Sequence, residues 1–465
     1  MLIIKNWQLL SESDKKNCLS RPRQNSTIKK EVLEIINQVL VSGDKALLEL
    51  TKQFDRAHIS DLKIPQEKIE QAYIPQRSLS AIKQAIKTLT LYHQSLLPES
   101  TQISTATGIT IKTTYRPIQK VGLYVPGGNK TPLVSSLLMQ AIPAKVAGCP
   151  IKVLCTPPNA EGEINEHILA AAKLCGIDTI YALGGVQAIA AMAYGTETVA
   201  KVDKIFGPGN GYVTQAKTLV AIDPNGAAID MPAGPSEVMI LSDKQANPGF
   251  IAADLLAQAE HGPDSQVFLI CEDLELAEQV NQQLEIQMTN LSRTALIKQS
   301  LANSMIIICP DQMEQLDIIN SYAPEHLIIN RKDAELWPDR VMAAGTVFLG
   351  PWAAETMGDY VTGSNHVLPT SGFAKNHSGL STLDFMTKFT VQTIDQEGIN
   401  NLGPAAITLA KIEGLDAHAN AVQIRLLSKC RTAECRQTHE NSNTASAKPD
   451  STAVEFEKKP SVTGI

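Results

Sequence analysis

Glu325 and His326 stand side by side in SYAPEHL, and Gln258 and His261 stand three apart in QAEHGP. A histidine titrating near neutrality can take a proton from an alcohol, and a neighbouring carboxylate can activate water. A carboxamide oxygen and an imidazole nitrogen on one face of a helix end can hold a metal ion or a polar substrate. The ordinary meaning of the Glu-His pair is a solvated helix end. A glycine-rich stretch, Gly207-Pro208-Gly209-Asn210-Gly211, follows the apolar run ending at Phe206 and precedes a helical pattern. Backbone amides there can approach a phosphate at a helix N-terminus. A tight turn is the commoner use of such a stretch, and the usual GxGxxG fingerprint of dinucleotide sites is missing.

These side chains need elements to carry them. Apolar strands VGLYV, IKVLC, TIYAL and VDKIF alternate with helices at 133–147, 163–175, 187–194 and 211–221. After Ala228 come SEVMIL, helix 248–260, SQVFLIC, helix 273–289, SMIIIC, helix 311–320, LIIN and GTVFLG. Such alternation implies an α/β fold with parallel sheets covered by helices on both faces. Ahead of it, a short strand and a helix close at Pro22, and Ile28 to about Leu97 has helical spacing. ITIKTTYRPIQKVGLYVPGG reads as strands, Gly363 to Gly379 as a long functional loop, and Asp384 to Leu427 as helical. The polar stretch 430–465 lacks apolar residues to bury and is expected to be disordered.

A chain of 465 residues exceeds one simple core and suggests two to three domains. The net charge of −7 argues against nucleic acid as a partner. No signal-peptide pattern opens the chain, and no apolar run approaches a membrane span. Its 8 cysteines form no CxxC pair, as expected of buried free thiols in a reducing cytoplasm.

The segment from Gly226 to Gln266, GAAIDMPAGPSEVMILSDKQANPGFIAADLLAQAEHGPDSQ, closely resembles the signature of histidinol dehydrogenases. The resemblance runs from about Pro22 to Arg425 through GLYVPGG, KIFGPGNGYVT, SYAPEHL, MGDYVTGSNHVLPTSG and EGLDAHANAV. It implies an NAD- and zinc-dependent enzyme that oxidises L-histidinol through L-histidinal to L-histidine, the final steps of histidine biosynthesis. It also implies two Rossmann-like parallel-sheet domains, one inserted in the other. The first would comprise 23–123 and 237–381, and the second, contacting NAD, 124–236. Small terminal segments, 1–22 and a helical 382–429, would be domain-swapped in a homodimer with sites at the subunit interface.

By match to the family's motifs, Gln258, His261, Asp359 and His418 hold one zinc ion per subunit, and Tyr124, Gln187 and Asn210 contact NAD. Ser236, His366 and Glu413 join the zinc residues and His326 around the substrate, with Glu413 a carboxylate partner for its amine. His326 is then the base for the alcohol, and Glu325 activates water to hydrate the aldehyde. The metal orients the substrate, its templating role. His418 is expected to reach its metal across the subunit interface. Asp254, four before Gln258, reads as a cap or a support for a ligand. His377 and Ser242 depart from the family pattern, His377 as a spare potential ligand. Competing readings are a related dehydrogenase for another small polar alcohol, such as a sulfonated diol, and a zinc hydrolase or lyase without NAD. Glu413, His366 and the full set of metal positions oppose the first; Tyr124, Gln187 and the GPGN stretch oppose the second.

Overall fold

Unbroken apolar runs bounded by turn residues form strands buried on both faces, and that is how the centre of this chain folds. The computed structural model describes residues 1–22, 28–127, 131–231 and 234–428, so the expected disordered tail lies outside the described residues. The chain begins with β1 (Ile3–Asn6), α1 (Glu12–Cys18), α2 (Ile28–Phe54), α3 (Gln66–Gln71), α4 (Gln76–Ser95), β2 (Gln102–Ala106) and β3 (Ile109–Pro117). Next come β4 (Lys120–Tyr124), α5 (Val134–Ala147), β5 (Ile151–Thr156), α6 (Glu166–Cys175), β6 (Thr179–Ala182), α7 (Gly185–Tyr194), β7 (Lys204–Phe206), α8 (Gly211–Ile222) and β8 (Ala228–Ile229). A second alternation holds β9 (Glu237–Ser242), α9 (Pro248–Ala259), β10 (Gln266–Cys271), α10 (Leu274–Met288), α11 (Thr294–Ala302) and β11 (Met305–Ile308). It continues through α12 (Gln312–Tyr322), β12 (His326–Asn330), β13 (Thr346–Leu349) and α13 (Glu355–Tyr360). The last elements are β14 (Met386–Ile394), α14 (Gln396–Ile412) and α15 (Asp416–Leu427).

Contacts divide the chain into two units, residues 1–99 with 115–388 and residues 100–114 with 389–465. The first contains two parallel sheets, as the strand–helix alternation predicts. One has the order β6-β5-β4-β7-β8 and the other β1-β11-β10-β9-β12-β13. Successive strand residues serve opposite faces. In the five-stranded sheet, Val121, Leu123 and Leu154 pack under α4, α5 and α6. Tyr124, Val153 and Cys155 pack under α2, α7 and α8. The six-stranded sheet divides its side chains likewise: Val238 and Ile240 join α9, α10 and α11, while Met239 and Leu241 join α12. Residues 28–95 supply α2 and α4 to the cores of the five-stranded sheet.

The structure departs from two helical expectations. Residues 382–429 were expected to be helical, but the nine residues of β14, MTKFTVQTI, form a strand. Its β-branched Thr387, Thr390, Val391, Thr393 and Ile394 favour a strand over a helix. Also, α2 is broken at Gly43 (φ 49°, ψ −133°), where the Glu197 carboxylate occupies the place a side chain would take. The second unit holds the sheet β14-β3-β2, its β2–β3 pairing antiparallel, and the packed hairpin of α14 and α15. Cys18, Cys149, Cys155, Cys175, Cys271 and Cys309 are buried free thiols.

Candidate active site

The parallel register of β9 and β12 sets Val238 against His326, so Glu237 and Glu325 meet at the amino ends of these strands. Glu237 N donates to Glu325 Oε2 at 2.8 Å. His326 Nδ1 lies 3.2 Å from the Glu237 carbonyl oxygen and, in the neutral ring, donates to it. That bond selects the tautomer and turns Nε2 toward Asp359 Oδ1, 3.4 Å away, with no well-aligned hydrogen bond to it among the described residues. Both residues are buried, so the pair is not a solvated helix end. The Glu237 side chain is held by Arg21, whose Nε and Nη2 donate at 2.5 and 2.9 Å, and by Ser371 N at 3.0 Å. Arg21 also lies over the Tyr322 ring and donates to the Tyr322 carbonyl. Arg21 and Glu237 therefore fix the backbone that aims the pair, a role no spacing in the sequence announces.

Carboxylates crowd the imidazole. Glu325 Oε2 and Glu355 Oε1 lie 3.6 and 3.7 Å from Nδ1, and Asp359 Oδ1 lies 3.4 Å from Nε2. Burial alone would lower the His326 pKa, but Glu355, Glu325 and Asp359 together hold it well above its ordinary value. Glu355 is pushed well above the carboxylate range by burial. Burial also raises Asp359, yet its interaction with His326 prevails and leaves it below its ordinary value. Asp254 is raised to about 6 by burial. Asn247 caps α9, and Asp254, within that helix, accepts from the backbone of Glu355, the first residue of α13, as a cap or support would.

Gln258 is fully buried in the last turn of α9. With its carboxamide turned to satisfy both ends, the nitrogen donates to Glu355 Oε1 and the oxygen accepts from Glu237 N at 2.9 Å. The helix stops at Ala259, so the one-face argument for Gln258 and His261 needs amending. His261 lies beyond the Glu260 cap, exposed, with its backbone N donating to the Gln258 carbonyl at 3.2 Å. Its charge is still felt by Asp359 and His366. His366 Nδ1 lies 2.8 Å from the Asp359 carbonyl oxygen, and burial lowers the His366 pKa. Ser236 immediately precedes β9, half-buried. Glu413 caps the end of α14 and His418 lies in α15, both exposed and both in the second unit.

His326, Glu355 and Asp359 offer ligand atoms within 4.8 Å of one another. Buried carboxylates in excess of nearby cations, an unpartnered Glu355 Oε2 and a buried carboxamide make a place that a divalent cation would neutralise. The donor set of amide oxygen, imidazole and carboxylate suits zinc. Glu355 was absent from the expected site, although its position four before Asp359 puts both on one face of α13.

The positions expected to contact NAD lie toward the carboxyl ends of the strands of the five-stranded sheet. Tyr124 ends β4, and its hydroxyl accepts from Gly185 N at 3.0 Å. Gln187 is not at a strand end; it is buried in the first turn of α7. Asn210 caps α8, accepting from the backbone N of Tyr212 and Val213 at 3.1 Å each. The preceding Gly207 (φ 121°) is clamped by a buried ion pair: Lys217 Nζ donates to its carbonyl at 2.7 Å, and its N donates to Asp230 at 2.9 Å. A side chain at Gly207 would collide with the Tyr124 carbonyl.

A sequence profile described as histidinol dehydrogenase matches residues 19–426. This chain belongs to the histidinol dehydrogenase family. A histidinol dehydrogenase of Legionella pneumophila strain Philadelphia 1 is 81% identical over 426 residues, 92% of this chain and 99% of that protein. One from Vibrio parahaemolyticus is 47% identical, covering 90% of this chain and 97% of the relative. A crystal structure of histidinol dehydrogenase from Elizabethkingia anophelis superposes with a TM-score of 0.88 at 42% identity, covering 92% and 98% of the two chains. The family comprises oxidoreductases of histidine biosynthesis, and the fold is theirs.

Proposed function

We propose that this chain oxidises L-histidinol to L-histidine through L-histidinal, reducing two NAD. The buried Glu325–His326 pair carries the reading. Its Nδ1–H is pinned to a carbonyl, and its Nε2, 3.4 Å from Asp359 Oδ1, is the nitrogen that would exchange the proton. The carboxylates around His326 stabilise the imidazolium formed when it takes the alcohol proton. Glu325, held by Glu237 N, takes a proton from the water that hydrates the aldehyde, preparing it for the second oxidation. Zinc, one per subunit, would be held by Gln258, His261, Asp359 and His418, and would orient the substrate. NAD would accept hydride, held by Tyr124, Gln187 and Asn210. Ser236, His366 and Glu413 would complete the substrate contacts.

We further propose a cytoplasmic homodimer in which Glu413 and His418 serve the neighbouring subunit's site. Exposed apolar residues in the second unit, among them Leu409, Ile412, Ile424 and Leu427, support such an interface. Among the described residues, no helix is long and apolar enough to cross a membrane.

The test is NADH production from L-histidinol before chelation, after EDTA treatment and after zinc restoration. Two NADH per histidinol, lost with chelation and regained with zinc, is the expected result. No NADH from zinc-loaded protein would overturn the assignment.

A further inference from the structure

The sheet β6-β5-β4-β7-β8 has the order 3-2-1-4-5 of a doubly wound dinucleotide-binding sheet, in which β4, β5 and β6 form the first mononucleotide-binding half. In such halves an acid at the end of the second strand accepts hydrogen bonds from the adenosine ribose hydroxyls. Here the second strand is β5, and it ends in Thr156-Pro157-Pro158-Asn159, without an acid.

An acid reaches the same place from another element. Asp55 follows α2, and its Oδ1 lies 3.2 Å from the point where a Cβ on Gly184 would sit. Pro157 Cβ lies 2.7 Å from that same point. Gly184 is the N-cap of α7 and Pro157 follows β5, so the carboxylate sits at the carboxyl ends of β5 and β6. The charge of Asp55 is felt by the Tyr124 hydroxyl at the end of β4.

Two buried polar atoms here lack partners: Asp55 Oδ2, an acceptor, and Gln187 Nε2, a donor. Gln187 is 1% exposed, and its Oε1 lies 2.9 Å from the Cβ position of Gly185. Thr51 Oγ1, one turn before Asp55, is a third. Buried polar groups are rarely left unpaired, because the desolvation cost is then unrecovered. An acceptor and a donor kept free beside a helix N-terminus fit a ligand that supplies the complementary groups. Burial without a donor also pushes the Asp55 carboxyl up to about 6.

We propose that Asp55 is the ribose-hydroxyl acceptor of the dinucleotide site, with Gln187 as neighbouring donor, and that its carboxylate selects NAD over NADP. The assignment rests on the NAD dependence proposed above. A vicinal diol donates hydrogen bonds to the carboxylate, whereas a 2′-phosphate sets like charges together in a desolvated place.

The experiment is equilibrium binding of NADH and NADPH to the zinc-loaded full-length protein, read by nicotinamide fluorescence. Wild-type protein should bind NADH at least about 10-fold more tightly than NADPH, the worth of one charged hydrogen bond. Asp55→Asn should weaken NADH about 10- to 100-fold with unchanged zinc content, and the preference over NADPH should collapse. An NADH analogue without the adenosine 2′-hydroxyl needs no variant and should bind wild-type protein about 10-fold more weakly. Equal affinity of wild-type protein for NADH and NADPH, undiminished binding of the analogue, or a folded Asp55→Asn protein with wild-type NADH affinity would each overturn the assignment. Binding of neither dinucleotide to wild-type protein would overturn NAD dependence itself, and this assignment with it.

Discussion

At the scale of single residues, Glu325 and His326 are legible because they adjoin in sequence and their chemistry is paired. If Glu325 activates only the water of the second oxidation, Glu325→Gln should spare the first hydride transfer and slow the second about 10²- to 10⁴-fold. NADH per histidinol should then fall from two toward one, with an aldehyde that a hydrazine can trap. A Gln variant that still yields two NADH at the wild-type rate would show that the hydration base is elsewhere. Glu355 is the residue that sequence reasoning passed over, because a buried acid four before another acid has no motif of its own. It anchors the Gln258 carboxamide and adds its charge beside His326. Glu355→Gln should therefore lower zinc affinity about 10- to 100-fold, measured by chelator competition, as removal of a residue that orients a ligand does. An unchanged affinity would confine Glu355 to packing.

At the scale of elements, the strand–helix alternation gave both sheets because continuous apolar runs between turn signals leave little choice. The strand order could not be read that way, since nothing local says that β9 lies between β10 and β12. β14 is hard to read because its β-branched residues carry no strict alternation and adjoin strongly helical sequence. The Lys217–Asp230 pair was invisible for the same non-local reason, although it shapes the glycine-rich loop. Lys217→Met would leave Asp230 buried without its cation and should cost about 3–5 kcal/mol, seen as a lower urea midpoint. A variant within about 0.5 kcal/mol of wild type would show that Asp230 finds another partner.

His93 tests how α4 supports the loop bearing His366. Its Nε2 lies 3.3 Å from Asn365 Nδ2, which as a donor requires that nitrogen unprotonated, and Thr382 Oγ1 donates to its carbonyl at 2.7 Å. Burial lowers the His93 pKa from 6.5 to about 4. A depressed histidine favours the neutral form in the fold, so its full contribution is present above 6.5 and is lost as pH falls toward 4. That loss should reach about 2–3 kcal/mol in unfolding free energy across the window. His93→Gln should flatten the decline over that range. A variant with the wild-type slope would assign the acid sensitivity to other groups.

At the scale of the whole molecule, the site positions fall in two contact units: Gln258, His261, Glu325, His326, Asp359 and His366 in one, Glu413 and His418 in the other. No periodicity in one chain tells whether distant segments serve their own subunit or a neighbour, so the cross-subunit expectation rests on family resemblance alone. Pairwise complementation decides it. His326→Ala and His418→Ala homodimers should each be inactive, the first lacking its base and the second a metal ligand. If His418 serves the partner's site, a mixed dimer has one site with both defects and one with neither. Random exchange makes about half the dimers mixed, so about a quarter of the wild-type activity should return. If His418 serves its own subunit, each site in a mixed dimer carries one defect and no activity returns. Sequential affinity capture through the two different tags of the co-expressed variants establishes that mixed dimers have formed, so the recovered activity reads the geometry of the site alone.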